Sequence, residues 1–133
     1  MTSRHAVLVL GEALIDIVER DGADAEFVGG SPANVAVGIA RQDVPATLLT
    51  RLGLDDRGRR IAEQVTASGA VVHEASWTDA ATSTARARLR ADGSAEYDFD
   101  IVWALEADAA ADAAAAASVV HSGSIALFLQ PGG

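Results

Sequence analysis

A glycine pair, a nearby amide and an isolated carboxylate are the residues here whose types and spacing could do chemistry. Gly29-Gly30-Ser31-Pro32-Ala33-Asn34 stands at the head of a predicted helix. Paired glycines let a backbone approach a ligand with no Cβ in the way. A helix start also turns unpaired N–H groups outward. Asn34 falls in the first turn and offers both donors and acceptors, which suits a polyol. A tight turn followed by a helix cap would account for the same residues without a ligand. Asp16 is the second candidate, because it interrupts the apolar run Leu14-Ile15-Asp16-Ile17-Val18. Burying that carboxylate unpaired is costly. Two hydroxyls of a polyol donating to its two oxygens would satisfy it, and so would a solvent-facing strand position.

Other chemistries find less support. His5, His73 and His121 are scattered without paired ligand spacing, which argues against a zinc site. His121 is expected to end a strand, packed or solvated, and Trp77 and Trp103 are expected to serve packing. No Gly-x-Gly-x-x-Gly follows the first apolar run and no Gly-Lys-Ser/Thr is present, so neither a dinucleotide fingerprint nor a P-loop is seen. The absence of cysteine rules out disulfides and thiolate metal sites. A formal charge of −9 over 133 residues argues against nucleic acid and anionic membranes as partners, since both need clustered Lys and Arg. Half the residues are apolar, which is ordinary globular composition. With no signal-peptide pattern and no apolar run long enough to span a bilayer, a cytoplasmic protein is expected.

The elements that must position these residues follow from periodicity. Ala6 to Leu10 is wholly apolar and ends at Gly11, which suits a strand buried on both faces of a parallel sheet. After the glycine pair, Ser31 as N-cap, Pro32 at the first helical position, and Val35, Ile39, Ala36 and Ala40 at helical spacing predict a helix. Thr47–Thr50 reads as a strand. Beyond the Gly53–Gly58 loop, Ile61, Ala62 and Val65 mark a second helix closed by Gly69 at C′. Val71 and Val72 begin another strand. Asp108 to Ala117 is an alanine-rich helix, and Ser118 to His121 a further short strand. Strands alternating with helices argue for an α/β fold with a parallel sheet. Pro131-Gly132-Gly133 is not an expected close for such a domain.

Thr84 to Val102 breaks that rhythm. Arg86, Arg88 and Arg90 alternate with apolar residues, and past Asp92-Gly93 the acids Glu96, Asp98 and Asp100 alternate with Tyr97, Phe99 and Ile101. This predicts an antiparallel hairpin with one apolar and one charged face. A two-residue loop would set Arg88 opposite Tyr97 and mix the faces. A three-residue loop, Ala91-Asp92-Gly93 with Gly93 left-handed, sets Arg88 opposite Glu96, Arg86 opposite Asp98, Ala87 opposite Tyr97 and Ala85 opposite Phe99. Opposite charges directly across strands contribute roughly 0.2–1 kcal/mol each, so the three-residue loop is expected.

Taken together, Gly-Glu-Ala-Leu-Ile-Asp at 11–16, Gly-Gly-Ser-Pro-Ala-Asn-Val-Ala at 29–36 and Leu-Thr-Arg-Leu-Gly at 49–53 resemble the ribokinase, or pfkB, family of carbohydrate kinases. Thr82-Ser83-Thr84, Glu96-Tyr97-Asp98-Phe99 and His121-Ser122-Gly123-Ser124 are more narrowly similar to bacterial fructokinases. The resemblance is collinear over essentially the whole chain.

It implies a ribokinase-like parallel sheet with helices on both faces and a small antiparallel β lid, its strands near 13–28 and 84–102. It implies residues 1–133 as the N-terminal part of a longer domain, with the C-terminal half absent. The implied sugar contacts are Asp16, Gly29, Gly30, Ser31 and Asn34, with Phe99 on the lid face that closes over the sugar. The implied activity is ATP- and Mg2+-dependent phosphorylation of a sugar, fructose first, in a homodimer paired through the lid. The family's catalytic Gly-Ala-Gly-Asp motif is absent, so no catalytic, nucleotide-binding or metal-binding residue is assigned and the chain alone is expected to be inactive. Gly22-Ala23-Asp24 comes nearest to the motif and is expected to be a turn. A non-catalytic sugar-binding module, or a kinase for 2-keto-3-deoxygluconate or a nucleoside, are the alternative readings. One departure is local: Asp43 stands where the family usually has Gly or Ser. If that position needs positive φ, a modest stability cost is expected with sugar recognition intact.

Overall fold

Val7–Leu10 forms β1, the apolar strand expected from its composition, and it lies inside a parallel sheet. The computed structural model describes residues 6–128. His5 and Pro131-Gly132-Gly133 lie outside the described residues. β1 pairs with β4 (Ala46–Leu49) on one side and β10 (Val119–Ser122) on the other, with β6 (Val71–Val72) beyond β4. The sheet order is therefore β10-β1-β4-β6. Pleating sends alternate residues to opposite faces. Val9, Ala46 and Leu48 share one core with Ala33 and Ala36 of α1 (Ser31–Ala40) and with Ile61 and Val65 of α2 (Asp56–Ala67). On the other face Leu8 and Thr47 share a hollow of about 280 Å³ with Ala113 of α3 (Ala107–Ala115) and the following Ala116. Helices thus cover both faces of a parallel sheet, as expected. The chain steps outward from β1 through α1 and α2, then returns by way of α3 to the other side of β1. The strand order accordingly reverses between β1 and β10, a place where open α/β sheets bind ligands.

A second sheet stands apart, with order β3-β2-β8-β9. Its strands are β2 (Leu14–Arg20), β3 (Ala23–Gly29), β8 (Thr84–Leu89) and β9 (Ala95–Asp100). β2 and β3 form a hairpin through Asp21 and Gly22, at φ 53° and 77°, the positive values that a two-residue primed turn requires. Asp21-Gly22 is therefore the turn, and Ala23 and Asp24 already belong to β3, which corrects the reading of Gly22-Ala23-Asp24 as turn. The β8–β9 register is the expected one, with Arg88 opposite Glu96, Arg86 opposite Asp98, Ala87 opposite Tyr97 and Ala85 opposite Phe99. Arg90 donates to the Ser94 carbonyl at 2.9 Å, leaving Ala91-Asp92-Gly93 as the loop, and Gly93 sits at φ 87°. The sheet is mixed rather than antiparallel throughout, because β2 and β8 pair in parallel. β8 enters only after the long excursion through α1, β4 and α2, so it is not hairpin-constrained to run against β2. A small parallel pair, β5 (Leu52–Gly53) with β7 (Trp77–Thr78), lies on that excursion.

Two details of the expected structure move. The charge ladder does not pair straight across. Arg88 bonds Asp98 at 3.1 Å and Arg90 bonds Glu96 at 2.7 Å, both diagonally, while Arg86 reaches Asp24 at 3.1 Å and Glu19 at 3.3 Å. Long side chains lean along their strand, and β2 places Glu19 directly beside Arg88. Ser31 is not the cap of α1. Gly30, at φ 98°, is the cap residue, no side chain caps the helix, and Ser31 is already its first residue. Gly69, at φ 98°, follows α2 as expected, and Asp43 does adopt positive φ, at 59°. Trp103 is buried and Trp77 packs against the core, whereas His121 is exposed on β10. No helix among the described residues is long and apolar enough to cross a membrane.

Candidate functional site

Asp16 stands in the middle of a row that crosses the second sheet: Phe27 on β3, Asp16 on β2, Ala85 on β8 and Phe99 on β9. The next row on the same face holds Ala25, Val18, Ala87 and Tyr97. Small alanines between large rings leave a hollow of about 400 Å³ with Asp16 at its edge. Phe99 is 68 % exposed and Tyr97 63 % exposed, their rings stacked with centroids 6.3 Å apart. The expected apolar lid face therefore exists, and it carries the candidate aspartate. Burial among these neighbours raises the Asp16 carboxyl above its ordinary pKa.

The glycine pair joins that face to the parallel sheet. Gly29 is buried, and any Cβ there would fall on the Asp16 carboxylate. Glycine at 29 is thus the condition for Asp16 to hold its place. Gly30 needs its positive φ, and a Cβ on it would stand 2.8 Å from the Glu12 carbonyl oxygen. The Asn34 backbone N–H donates to the Gly30 carbonyl at 3.1 Å, tying the first turn of α1 to the pair. Ser31 and Asn34 are exposed in that turn. The Asp16 carboxylate therefore lies against one end of a continuous backbone strip that runs from Gly29 and Gly30 through Ser31 to Asn34. The hollow itself is lined by Asp16 and Phe99 but by neither the glycines nor Asn34.

A residue that sequence reasoning passed over is Glu12. It is 4 % exposed, and its Oε2 has no hydrogen-bond partner among the described residues. The signal was available: Glu12 separates the apolar β1 from the apolar start of β2, the argument already applied to Asp16. Also passed over was the knot that anchors β8. Asp55 accepts from the Gly58 amide at 2.8 Å, the Thr82 amide at 3.0 Å and the Thr82 hydroxyl at 2.6 Å. Burial pushes the Asp55 carboxyl up, but the Thr82 and Gly58 hydrogen bonds outweigh it and hold the group below the ordinary range. On the inner face of the second sheet, Glu26 accepts from Arg57 at 3.0 and 3.1 Å and from Arg60 at 2.5 Å. The Arg57 hydrogen bond leads, with Arg60 adding to it, in lowering Glu26 to about 2.

The arrangement can hold a polyol: a fixed carboxylate, open backbone, an exposed amide and apolar rings. None of these residues is assigned to a nucleotide or to Mg2+. No group of three His, Asp or Glu converges among the described residues, and six arginines are already paired with carboxylates.

The chain is similar to known proteins over nearly its whole length. A family model described as pfkB family carbohydrate kinase matches residues 4–132. Fructokinase-1 of Oryza sativa subsp. japonica is 34 % identical over 150 residues, covering 98 % of this chain and 45 % of its own length. Fructokinase-1 of Zea mays is 33 % identical over 145 residues, covering 96 % of this chain and 44 % of its own. The crystal structure of fructokinase from Xylella fastidiosa superimposes with TM-score 0.77 at 27 % identity, over 96 % of this chain and 45 % of that one. Its form with bound ATP matches with TM-score 0.76 at 24 % identity, over 96 % of this chain and 44 % of that one. The chain spans less than half the length of these relatives.

Proposed function

This chain belongs to the pfkB family of carbohydrate kinases, and we propose that it is the sugar-holding part of an ATP-dependent sugar kinase whose acceptor is fructose. The observation that carries this reading is the Asp16 carboxylate seated on Gly29, one residue from Gly30, the cap of α1. A carboxylate fixed in this way accepts hydrogen bonds from two neighbouring hydroxyls. The exposed Asn34 amide and the α1 backbone offer donors on the adjoining strip. Phe99, Tyr97 and Phe27 supply an apolar surface able to exclude water from the acceptor hydroxyl.

Phosphoryl transfer relies mainly on positioning and charge stabilisation. In this division of labour the residues described here bind and orient the sugar. ATP and Mg2+, which supply the phosphoryl group and neutralise its charge, would be held by protein outside this chain. The chain alone is therefore expected to show no turnover. The exposed Phe27, Tyr97 and Phe99 also give the second sheet a face suited to pairing with the same face of a second copy, making the full-length kinase a homodimer.

The test is a coupled assay of the full-length protein with ATP, Mg2+ and a panel of fructose, 2-keto-3-deoxygluconate, ribose and a nucleoside. Fructose is expected to give the highest kcat/KM. A preference of tenfold or more for another acceptor would overturn the substrate. Product formed by residues 1–133 alone would overturn the division of labour. Sedimentation of a Phe99→Glu variant as a monomer, against a wild-type dimer, would support the pairing, and an unchanged dimer would refute it.

A further inference from the structure

We infer that Glu12 is a second carboxylate of the sugar site, accepting a hydroxyl hydrogen beyond the C-terminal ends of β1 and β10. The inference rests on the reading of the site as one that takes a sugar.

Three observations converge on it. The first is energetic. Glu12 is 96 % buried by its 4 % exposure, and its Oε2 is without a partner among the described residues. A buried acceptor left without a partner costs a fold the full desolvation of that group. An apolar side chain of similar size would avoid that cost. Local rules broken in this way gather at functional sites.

The second is position. Glu12 follows the C-terminal end of β1, and Gly123 follows the C-terminal end of β10, at the point where the strand order reverses. Ligands of open α/β sheets settle in that crevice. Gly123 stands beside the carboxylate. A Cβ on Gly123 would stand 2.8 Å from Pro32 Cγ and 3.6 Å from Glu12 Oε2. This oxygen therefore lies close to Gly123 of the Ser122-Gly123-Ser124 turn.

The third is adjacency to Asp16. A Cβ on Gly29 would fall on the Asp16 carboxylate, and a Cβ on Gly30 would stand 2.8 Å from the Glu12 carbonyl oxygen. Successive Cα atoms are about 3.8 Å apart. The Asp16 carboxylate and the Glu12 backbone therefore border the same short strip of backbone, Asp16 from β2 and Glu12 from the link between β1 and β2. An ionised carboxylate only accepts, so the group that satisfies Glu12 must donate. A sugar lying along the strip carries several hydroxyls that can.

The test uses the full-length kinase with Glu12→Gln and Asp16→Asn, fructose, and deoxy analogues each lacking one hydroxyl. Glu12→Gln is expected to raise the fructose KM by about 10- to 100-fold, the range for a hydrogen bond to a charged group, with the ATP KM within about twofold. One deoxy analogue should cost the wild type a comparable factor and cost Glu12→Gln little more, because the lost bond is the same one. A carboxylate bonded instead to protein in the remainder of the kinase would leave every deoxy penalty unchanged, and that result overturns the inference, as does a wild-type fructose KM in Glu12→Gln. Should Glu12→Gln fail to fold, Glu12→Asp keeps the charge but withdraws it by one methylene, and must lose the same deoxy discrimination. Asp16→Asn separates the two levels. If it raises the fructose KM while Glu12→Gln does not, only the role of Glu12 fails. If neither moves it, the sugar reading fails as well.

Discussion

The corner where β3, α2 and the start of β8 meet, and the strip where β1 runs into β2, treat carboxylates in opposite ways. In the corner each acid is answered: Glu26 by two guanidinium groups, Asp55 by two amides and a hydroxyl. Along the strip, Glu12 has a buried oxygen with no partner among the described residues and Asp16 is held in an environment that disfavours its charge. The corner uses charge to fix geometry, tying the second sheet to α2 and setting where β8 begins. The strip keeps charge available within that fixed geometry. Substitutions in the two regions should therefore separate stability from sugar recognition.

Asp16 should show the largest effect. Asp16→Ala in the full-length kinase removes an acceptor for two hydroxyls and is expected to lower kcat/KM for fructose by about 100-fold or more, mostly through KM. Stability should be unchanged or higher, because a poorly solvated charge is gone. A denaturation midpoint well below wild type would place Asp16 with the corner instead, and the contrast would collapse.

Asp55→Ala tests the opposite half. It removes the cap of α2 and strands the Thr82 hydroxyl and amide, for an expected loss of about 2–4 kcal/mol in urea unfolding. In protein that remains folded, the fructose KM should move by no more than a few-fold. A large rise in KM at full stability would show that the corner touches the substrate.

Acid distinguishes the regions by sign. Glu26 is depressed to about 2 in the folded state. Its contribution is complete above the unfolded pKa near 4.3 and is lost as pH falls from there toward 2. Asp16 is raised, so its charge costs stability as pH climbs through its folded pKa, and protonation relieves that cost. Unfolding midpoints between pH 5 and 3 should therefore fall less steeply in Glu26→Gln than in wild type, and more steeply in Asp16→Asn, which lacks the compensating group. Parallel curves for all three proteins would refute the assignment of either acid.

How much of this was legible in the sequence differs between the regions for a physical reason. Strand parity and a single glycine sufficed to set Arg88 against Glu96, because a hairpin's register depends on neighbours in the chain. The actual ion pairs were not legible, since Arg86 and Arg88 are drawn to Glu19 and Asp24 across a β2–β8 pairing nearly seventy residues long in sequence. Asp16 could be singled out because its own apolar run exposes it as an anomaly. Glu12 and Asp55 owe their settings to distant segments, Gly123 and Pro32 for one and Thr82 for the other. The cap of α1 passed from Ser31 to Gly30 for the same kind of reason: the backbone of Glu12 presses where a Cβ on residue 30 would be.

Asp43 gives the smallest and cleanest effect, because it belongs to neither region. It closes the turn after α1 at φ 59°, with its amide donating to the Ala40 carbonyl at 3.1 Å. A non-glycine residue is strained there, and aspartate less than most. Asp43→Gly relieves the strain but loosens the unfolded chain, so a net gain of about 0.5–1 kcal/mol is expected, read as a higher urea midpoint at unchanged slope. The fructose KM should not move. If stability falls instead, the Asp43 carboxylate contributes more than its backbone strain costs. If KM moves with it, α1 transmits changes at its far end to Gly30 and Asn34, and the strip is less rigid than its glycines and proline imply.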